Sequence, residues 1–242
     1  MHLSKHHGLG NDFLVVNGEV DEAMARALCD RRTGIGADGL IGYVGLQMTL
    51  LNADGSRAEM SGNGIRCLAQ AMAVGTDVTL DIETDAGVRR VEVRQVDERT
   101  VDVRVAMGAV SDAPVPDLEL GAKEVLGASV GNPHVVALYP DRQSLDAAAD
   151  GFAMTDRNVE FVEVGPGADE LTMRVVERGV GETQACGTGA CAAAWAARRW
   201  GAVGERVTVH MPGGAAVVEL GGDVVHLTGP AVHIADVEVA WP

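Results

Sequence analysis

One short motif occurs twice in this chain, separated by about half its length. The first copy reads MSGNG at residues 60–64 and the second reads ACGTG at residues 185–189, and each precedes an apolar stretch. Residues 10–15 likewise resemble residues 131–136. Because these similarities keep the same order in both halves, the sequence predicts a duplicated domain rather than a short-period repeat.

Composition narrows the range of folds and partners. A chain of 242 residues with 47% hydrophobic and only 3% aromatic residues must build its core from aliphatic side chains. The net charge of −16 argues against binding to nucleic acid, which needs a basic surface. The N-terminal segment contains no apolar leader, and no apolar run reaches membrane-spanning length, so we expect a cytoplasmic protein without membrane contact.

The four cysteines do not form a recognisable metal or disulfide pattern. Their spacing matches neither a zinc ribbon nor a compact disulfide framework. Cys29, Cys67 and Cys191 lie in apolar surroundings and are predicted to be core residues. Cys186 is different because it belongs to the repeated motif.

Periodicity predicts an α+β fold with two pseudo-symmetric halves. Alternating valines on both sides of residues 97–99 predict a hairpin, and residues 216–227 predict its counterpart in the second copy. Residues 62–74 and 187–200 are apolar on nearly every side and predict a buried central helix in each half. A shorter surface helix is predicted at residues 21–31.

Two prolines near residues 112–116 mark the predicted join between the copies. We therefore expect an N-terminal half over residues 1–112 and a C-terminal half over residues 113–234. The last strand, about residues 235–242, is expected to return to the first half.

The repeated motif suggests acid–base chemistry. A cysteine at a helix N-terminus lies where backbone N–H groups favour negative charge, and the same N–H groups can hold a carboxylate. Two such helix ends facing each other would hold one carboxylate and place Ser61 and Cys186 on opposite faces of the adjacent carbon. Removing a proton from one face and adding one to the other is racemisation or epimerisation.

At this level of detail the chain resembles the diaminopimelate epimerases, enzymes of lysine and peptidoglycan precursor synthesis. The second-half motif also occurs in the related proline racemases and hydroxyproline epimerases. The matching segments run through nearly the whole chain in the family's order and are residues 7–13, 34–39, 52–56, 59–67, 131–134, 157–158 and 177–189.

The resemblance implies two similar barrel-like, mostly antiparallel sheets, each around a central helix, with the active site in the cleft between them. It implies a two-base mechanism without pyridoxal phosphate, another cofactor or a metal, a small amino-acid substrate and a homodimer. Ser61 and Cys186 would be the proton-transfer residues. The implied substrate-binding residues are Asn11, Asn52, Gly62, Asn63, Asn132, His134, Asn158, Glu177, Arg178, Gly187 and Thr188.

Within this set the resemblance implies separate tasks. The N–H groups of Gly62, Asn63, Gly187 and Thr188 would hold the reacting carboxylate, and Glu177 would meet the α-amino group. His134 would lie close to the reacting centre, and Asn11 would line the cleft. The remaining residues would hold the distal end of the substrate: Asn52, Asn132, Asn158 and Arg178.

Ser61 departs from the family, whose members have cysteine at this position. An alcohol is a much weaker acid than a thiol, so we expect impaired turnover. Three interpretations stay open: a substitution introduced to trap substrate, a natural variant with some activity, or a different substrate. The alternatives to epimerisation of LL-2,6-diaminopimelate are a racemase for another amino acid and a non-catalytic amino-acid-binding protein.

A second departure is the short segment between Gly39 and Asn52, which predicts a trimmed hairpin in the first half.

Overall fold

The computed structural model describes residues 1–153, 156–178 and 180–241. Gly179, within the predicted 177–189 site segment, and Pro242, at the end of the predicted return strand, lie outside the described residues. Contacts divide the chain into a first unit, Met1–Val105 with Gly229–Pro242, and a second unit, Ala106–Thr228. The predicted boundaries lie nearby, after residues 112 and 234.

The described ranges contain four helices and seventeen strands. The helices are α1 (Glu22–Cys29), α2 (Gly62–Ala73), α3 (Arg142–Gly151) and α4 (Gly187–Arg199). The strands are β1 (His2–Gly8), β2 (Asn11–Asn17), β3 (Gly39–Val44), β4 (Gln47–Asn52), β5 (Arg57–Ala58), β6 (Val78–Thr84), β7 (Gly87–Gln95), β8 (Thr100–Gly108), β9 (Ser111–Asp112), β10 (Glu124–Ser129), β11 (Pro133–Leu138), β12 (Asn158–Val164), β13 (Glu170–Glu177), β14 (Gly181–Thr183), β15 (Arg206–Met211), β16 (Gly214–Glu219) and β17 (Val225–Glu238).

The sheet of the first unit closes on itself. Its strand order is β17-β1-β2-β3-β4-β6-β7-β8, and β8 pairs again with β17. The β2–β3 and β4–β6 pairs are parallel, whereas β1–β2, β3–β4, β6–β7 and β7–β8 are antiparallel. Helix α2 packs against β1, β2 and β7, which lie on opposite sides of this ring, so α2 lies inside it.

The second unit repeats this strand order. Strands β10, β11, β12, β13, β15, β16 and β17 follow one another, with β11–β12 and β13–β15 parallel and the other neighbouring pairs antiparallel. Helix α4 packs against β10, β11, β12, β13, β15 and β16. The predicted α+β fold, with a mostly antiparallel sheet around a central helix in each of two similar halves, is confirmed.

Both central helices are buried without a break over their first eight residues. In α4 all residues from Gly187 to Ala194 are buried, and its run of alanines lets the strands approach closely. In α2 burial is continuous from Gly62 to Ala69. Among the described residues, none of the helices has the length and apolar character needed to cross a membrane.

The outer helices cover the sheets from the other side. Helix α1 packs on β3 and β4, and its buried Met24, Ala25, Leu28 and Cys29 join a cluster with strand residues such as Leu14. Helix α3 covers β12 and β13 in the second unit. The segment predicted as a surface helix at residues 21–31 is therefore helical over a shorter range, with one face in the core.

The two predicted hairpins are present, and the predicted central helices end slightly early. Strands β7 and β8 flank residues 96–99, and β16 and β17 flank residues 220–224. The trimmed hairpin β3–β4 turns through only two residues, Gly45 and Leu46. Helix α2 ends at Ala73 because Val74 adopts a left-handed conformation, with φ 46° and ψ 47°.

Val74 is an unfavourable residue for its position, and we expect Val74→Gly to stabilise the protein. A β-branched residue at positive φ is strained, and the Val74 side chain is 84% exposed, so little packing would be lost. We expect the free energy of unfolding to rise by about 1 kcal/mol, measured by urea denaturation. Val88→Gly is the control: Val88 is 60% exposed on β7, and there the same change should destabilise. A loss of stability in Val74→Gly would contradict the strain.

Candidate active site

The N-terminus of α2 is capped by Ser61. Ser61 Oγ accepts a hydrogen bond from the Gly64 N–H at 3.1 Å, and the Ser61 carbonyl accepts from the Ile65 N–H at 2.9 Å. The first N–H groups of a helix have no partner within the helix itself. Such N–H groups, together with the helix dipole, favour an anion.

The N-terminus of α4 has the same cap, built on Cys186. Cys186 Sγ accepts from the Gly189 N–H at 3.4 Å, and the Cys186 carbonyl accepts from the Ala190 N–H at 2.9 Å. The backbone angles also agree, with φ −134° and ψ 127° at Ser61 and φ −127° and ψ 115° at Cys186. The two motifs therefore fold alike and differ in the capping atom, oxygen in one and sulfur in the other.

The residues beneath the two caps differ in polarity. A Cβ on Gly64 would lie 3.4 Å from Ile41 Cδ1 and 3.5 Å from Phe13 Cε1. A Cβ on Gly189 would lie 2.7 Å from Glu160 Oε1. The start of α2 thus packs against apolar side chains, whereas the start of α4 packs against a carboxyl group.

In the first unit, Asn11 and Asn63 lie in one hydrogen-bonded chain. Asn63 Nδ2 donates to Asn11 Oδ1 at 3.2 Å, and Asn11 Nδ2 donates to Asp38 Oδ2 at 2.7 Å. Asn63 Oδ1 in turn accepts from Arg66 at 2.7 Å. Asn52 lies apart at the end of β4, where its Nδ2 donates to Ser56 Oγ at 2.9 Å.

Arg66 supports this helix end, and its role was not predicted from the sequence. Its side chain is fully buried and also donates to the Gly62 carbonyl at 3.0 Å and to the Pro230 carbonyl at 3.3 Å. A Cβ on Gly8 or Gly229 would lie 3.1 or 3.3 Å from the guanidinium, so these glycines make room for it. Its place within the 59–67 motif was the only signal in the sequence.

In the second unit, Glu177 lies next to the Cys186 thiol. Glu177 Oε1 accepts from the Thr183 hydroxyl at 2.5 Å, and its charge acts on the Cys186 thiol. Burial raises the pKa of Glu177, and the hydrogen bond from Thr183 works against that rise. Thr188 Oγ1 lies 3.4 Å from Cys186 Sγ.

His134 bridges two other residues of the second unit. Its Nε2 lies 3.0 Å from Asn132 Oδ1, and its Nδ1 lies 2.6 Å from Glu160 Oε1. His134 and Asn132 were predicted from the sequence, but Glu160 was not. Its position in an apolar strand gave no signal, because its contact with His134 depends on the pairing of β11 with β12.

Asn158 and Arg178 are joined through the backbone. Asn158 Oδ1 accepts from the Arg178 N–H at 3.0 Å, and Asn158 Nδ2 donates to the Pro133 carbonyl at 3.2 Å. The Arg178 residue itself is exposed. Among the residues that the structure describes, the amide of Asn158 thus retains one unused N–H, whereas its oxygen already has a partner.

The Cys186 thiol is protonated at neutral pH. Burial is the largest cause, the nearby Glu177 carboxylate adds to it, and a negative charge on Glu160 would add further, so the pKa of Cys186 lies well above the ordinary range of a thiol. The Thr188 hydroxyl and the Gly189 N–H lower it by less. The expected effect of the helix N-terminus is therefore present but is outweighed.

Comparison with known proteins identifies the family. The sequence profile described as diaminopimelate epimerase matches residues 3–112 and 127–234. Diaminopimelate epimerases from Desulfitobacterium hafniense and Moorella thermoacetica are 38% and 39% identical, over 97% of this chain and 96% and 97% of the relatives. The chain belongs to the diaminopimelate epimerase family. The alignments span 273 and 274 positions, more than the 242 residues of the chain, so these family members contain insertions that this chain lacks.

Solved structures confirm the family's fold. A predicted epimerase from Pseudomonas aeruginosa covers 100% of this chain and 99% of its own length, with a TM-score of 0.77 and 14% identity. A probable proline racemase from Agrobacterium radiobacter covers 100% of this chain and 93% of its own length, with a TM-score of 0.71 and 16% identity. At these identities the likeness concerns the fold alone.

The acidity of Cys186 leads to a prediction about its reactivity. Because its raised pKa keeps it a thiol, alkylation by iodoacetamide should be slow at neutral pH and still rising at about pH 9. Glu177→Gln removes a nearby negative charge and should speed alkylation at pH 9 by roughly 10-fold. Peptide mass spectrometry separates Cys186 from the other buried cysteines.

Glu163→Gln is the matched control for this experiment, since Glu163 lies on β12 outside the set of site residues. It should leave the alkylation rate of Cys186 unchanged. An unchanged rate in folded Glu177→Gln would show that Glu177 does not act on the thiol.

Proposed function

We propose that the protein catalyses the cofactor-independent epimerisation of LL-2,6-diaminopimelate to the meso form. The observation that carries this proposal is the pair of helix N-termini with the same cap geometry, at Ser61 and Cys186, in a member of the diaminopimelate epimerase family. Both caps lie at helix N-termini, where backbone N–H groups and the helix dipole favour an anion. The N–H groups of Gly62, Asn63, Gly187 and Thr188 would hold the carboxylate next to the reacting carbon.

Glu177 would pair with the α-ammonium group of the substrate, and this pairing has a consequence for Cys186. The negative charge of Glu177 is one reason why the thiol is a weak acid. A bound ammonium group would offset that charge and lower the pKa of Cys186. Substrate binding would thereby help to form the thiolate that removes the α-proton.

Four polar residues would hold the distal end of the substrate: Asn52, Asn132, Asn158 and Arg178. The Asn132 oxygen is engaged by His134, so its amide offers N–H donors, which suit a carboxylate. The unused N–H of Asn158 and the Arg178 guanidinium suit the same group. Asn11 would act by orienting Asn63.

Ser61 would limit the reaction at its second half. After Cys186 has taken the proton, reprotonation from the opposite face requires an acid, and the Ser61 hydroxyl would have to become an alkoxide. The carbanion would therefore usually regain a proton from Cys186. A racemase for another amino acid and a non-catalytic binding protein are the alternatives, and no contact among the described residues favours them.

In D2O, the stereoisomer whose α-hydrogen faces Cys186 should incorporate deuterium much faster than it epimerises. Ser61→Cys should raise net epimerisation by roughly 10²–10⁴-fold, the range for a positioned acid or base. Cys186→Ala should abolish both exchange and epimerisation of that isomer. Proton NMR follows exchange, and chiral chromatography follows epimerisation.

An unchanged epimerisation rate in Ser61→Cys would rule out position 61 as the second proton-transfer site. Turnover of a different amino acid by Ser61→Cys, with diaminopimelate untouched, would instead support a specialised racemase. The absence of any exchange in the parent protein and in Ser61→Cys would support a binding protein.

We further propose that the protein works as a cytoplasmic homodimer, as the family resemblance implies. Multi-angle light scattering at micromolar concentration should give about twice the chain mass of 25.2 kDa. A mass of one chain across that range would overturn the dimer.

A further inference from the structure

A buried acid–imidazole pair lies beneath the N-terminus of α4. The side chains of Glu160 and His134 are fully buried, and Nδ1 of His134 lies 2.6 Å from Oε1 of Glu160. A Cβ on Gly189 would lie 2.7 Å from Glu160 Oε1 and 3.3 Å from Cys186 Sγ. The oxygen and the sulfur both lie within van der Waals distance of this one position, so they are close to each other. Any net charge on the pair would therefore act on the thiol.

The hydrogen-bond partners of His134 indicate how many protons it shares with Glu160. Nε2 of His134 faces the amide oxygen of Asn132, which only accepts, so Nε2 carries a hydrogen. Nδ1 and Oε1 at 2.6 Å also need a hydrogen between them, since two lone pairs at that distance would repel each other. Whichever of the two atoms holds it, imidazole and carboxyl group together are uncharged.

Burial favours the same proton count. Among the described residues, Oε2 of Glu160 is buried and has no hydrogen-bond partner. A carboxylate with one unsatisfied oxygen in a dry interior is costly unless a partner offsets its charge. The shared proton provides that offset. In the first unit the corresponding floor, Phe13 and Ile41, is also uncharged.

We propose that Glu160 and His134 hold one proton between them and present a neutral pair to the sulfur of Cys186. Glu160 is then a positioning residue that acts through His134. The other groups that bear on the sulfur are Glu177 on β13, the Thr188 hydroxyl and the Gly189 N–H. The inference rests on the proposed function only in taking Cys186 as a proton-transfer group.

The test measures alkylation of Cys186 by iodoacetamide at pH 9 in four proteins: the parent, His134→Asn, Glu160→Gln and the double variant. In His134→Asn, the new amide can still donate a neutral N–H to Glu160 but cannot carry the extra proton. This variant should leave Glu160 charged and slow alkylation by about 10-fold or more, as expected for a charge a few ångströms from a buried thiol. Glu160→Gln replaces one uncharged pair by another and should change the rate by less than about 3-fold.

The double variant should return to the rate of Glu160→Gln, because it no longer contains the unpaired carboxylate. Glu163→Gln on the same strand should match the parent. The reverse pattern, faster alkylation in Glu160→Gln and no change in His134→Asn, would show that the pair already carries a negative charge and would overturn the inference. If His134→Asn fails to fold by circular dichroism, the rate in Glu160→Gln decides alone.

Deuterium exchange of the substrate supplies a second readout. His134→Asn should slow exchange at saturating substrate by about 10²-fold, and adding Glu160→Gln should restore part of that loss. The expected alkylation pattern without any exchange in the parent or in Ser61→Cys would refute the proposed function and leave the neutral pair standing. Exchange together with the reverse alkylation pattern would refute the pair and leave the function standing.

Discussion

The buried start of each central helix is the constraint on which the rest of the structure depends. A helix that begins inside a sheet must find partners for its first N–H groups without water. Ser61 and Cys186 each satisfy one of them by folding back onto the third helical residue. The capping side chain therefore lies close to the third helical residue. A Cβ on Gly64 or Gly189 would lie 3.2 or 3.3 Å from it. In the second unit the nearest atom to such a Cβ is Glu160 Oε1, at 2.7 Å, so the glycine there also makes room for the carboxyl group.

The same cap supports opposite tendencies at the two helix ends. At Cys186 the helix end favours a thiolate, but burial and the Glu177 carboxylate favour the thiol more strongly. Under the proposed function, the ammonium group of the substrate would offset the charge of Glu177 and allow Cys186 to act as a base. At Ser61 the hydroxyl has an apolar floor and no tendency to ionise at neutral pH. The two halves share a fold and a cap but differ in proton chemistry.

The sequence predicted those features that depend on local pattern. The repeated motif located both helix starts, and alternating valines located both long hairpins, because caps and strand alternation are written over a few neighbouring residues. The end of α2 was placed one residue late, since Val74 adopts a conformation that its residue type disfavours. Glu160 was missed for a different reason. It reaches His134 only because β11 and β12 pair in parallel with His134 opposite Asn158, and pairing between distant strands leaves no local trace.

Equivalent positions of the two copies differ most in the buried polar residues near the helix starts. Equivalent strand pairings place Phe13 with His134 and Ile41 with Glu160, and the caps place Arg66 with Cys191. In each half, buried polar side chains therefore support the helix end, but in a different place: a guanidinium within α2, an acid–imidazole pair beneath α4. Packing alone would have kept these positions alike, because both copies surround the same kind of helix. The copies differ where Arg66 holds Asn63 in the first and where Glu160 and His134 lie near the Cys186 thiol in the second. Burying a polar side chain costs free energy, so a polar residue that is buried in one copy and replaced in the other indicates a function.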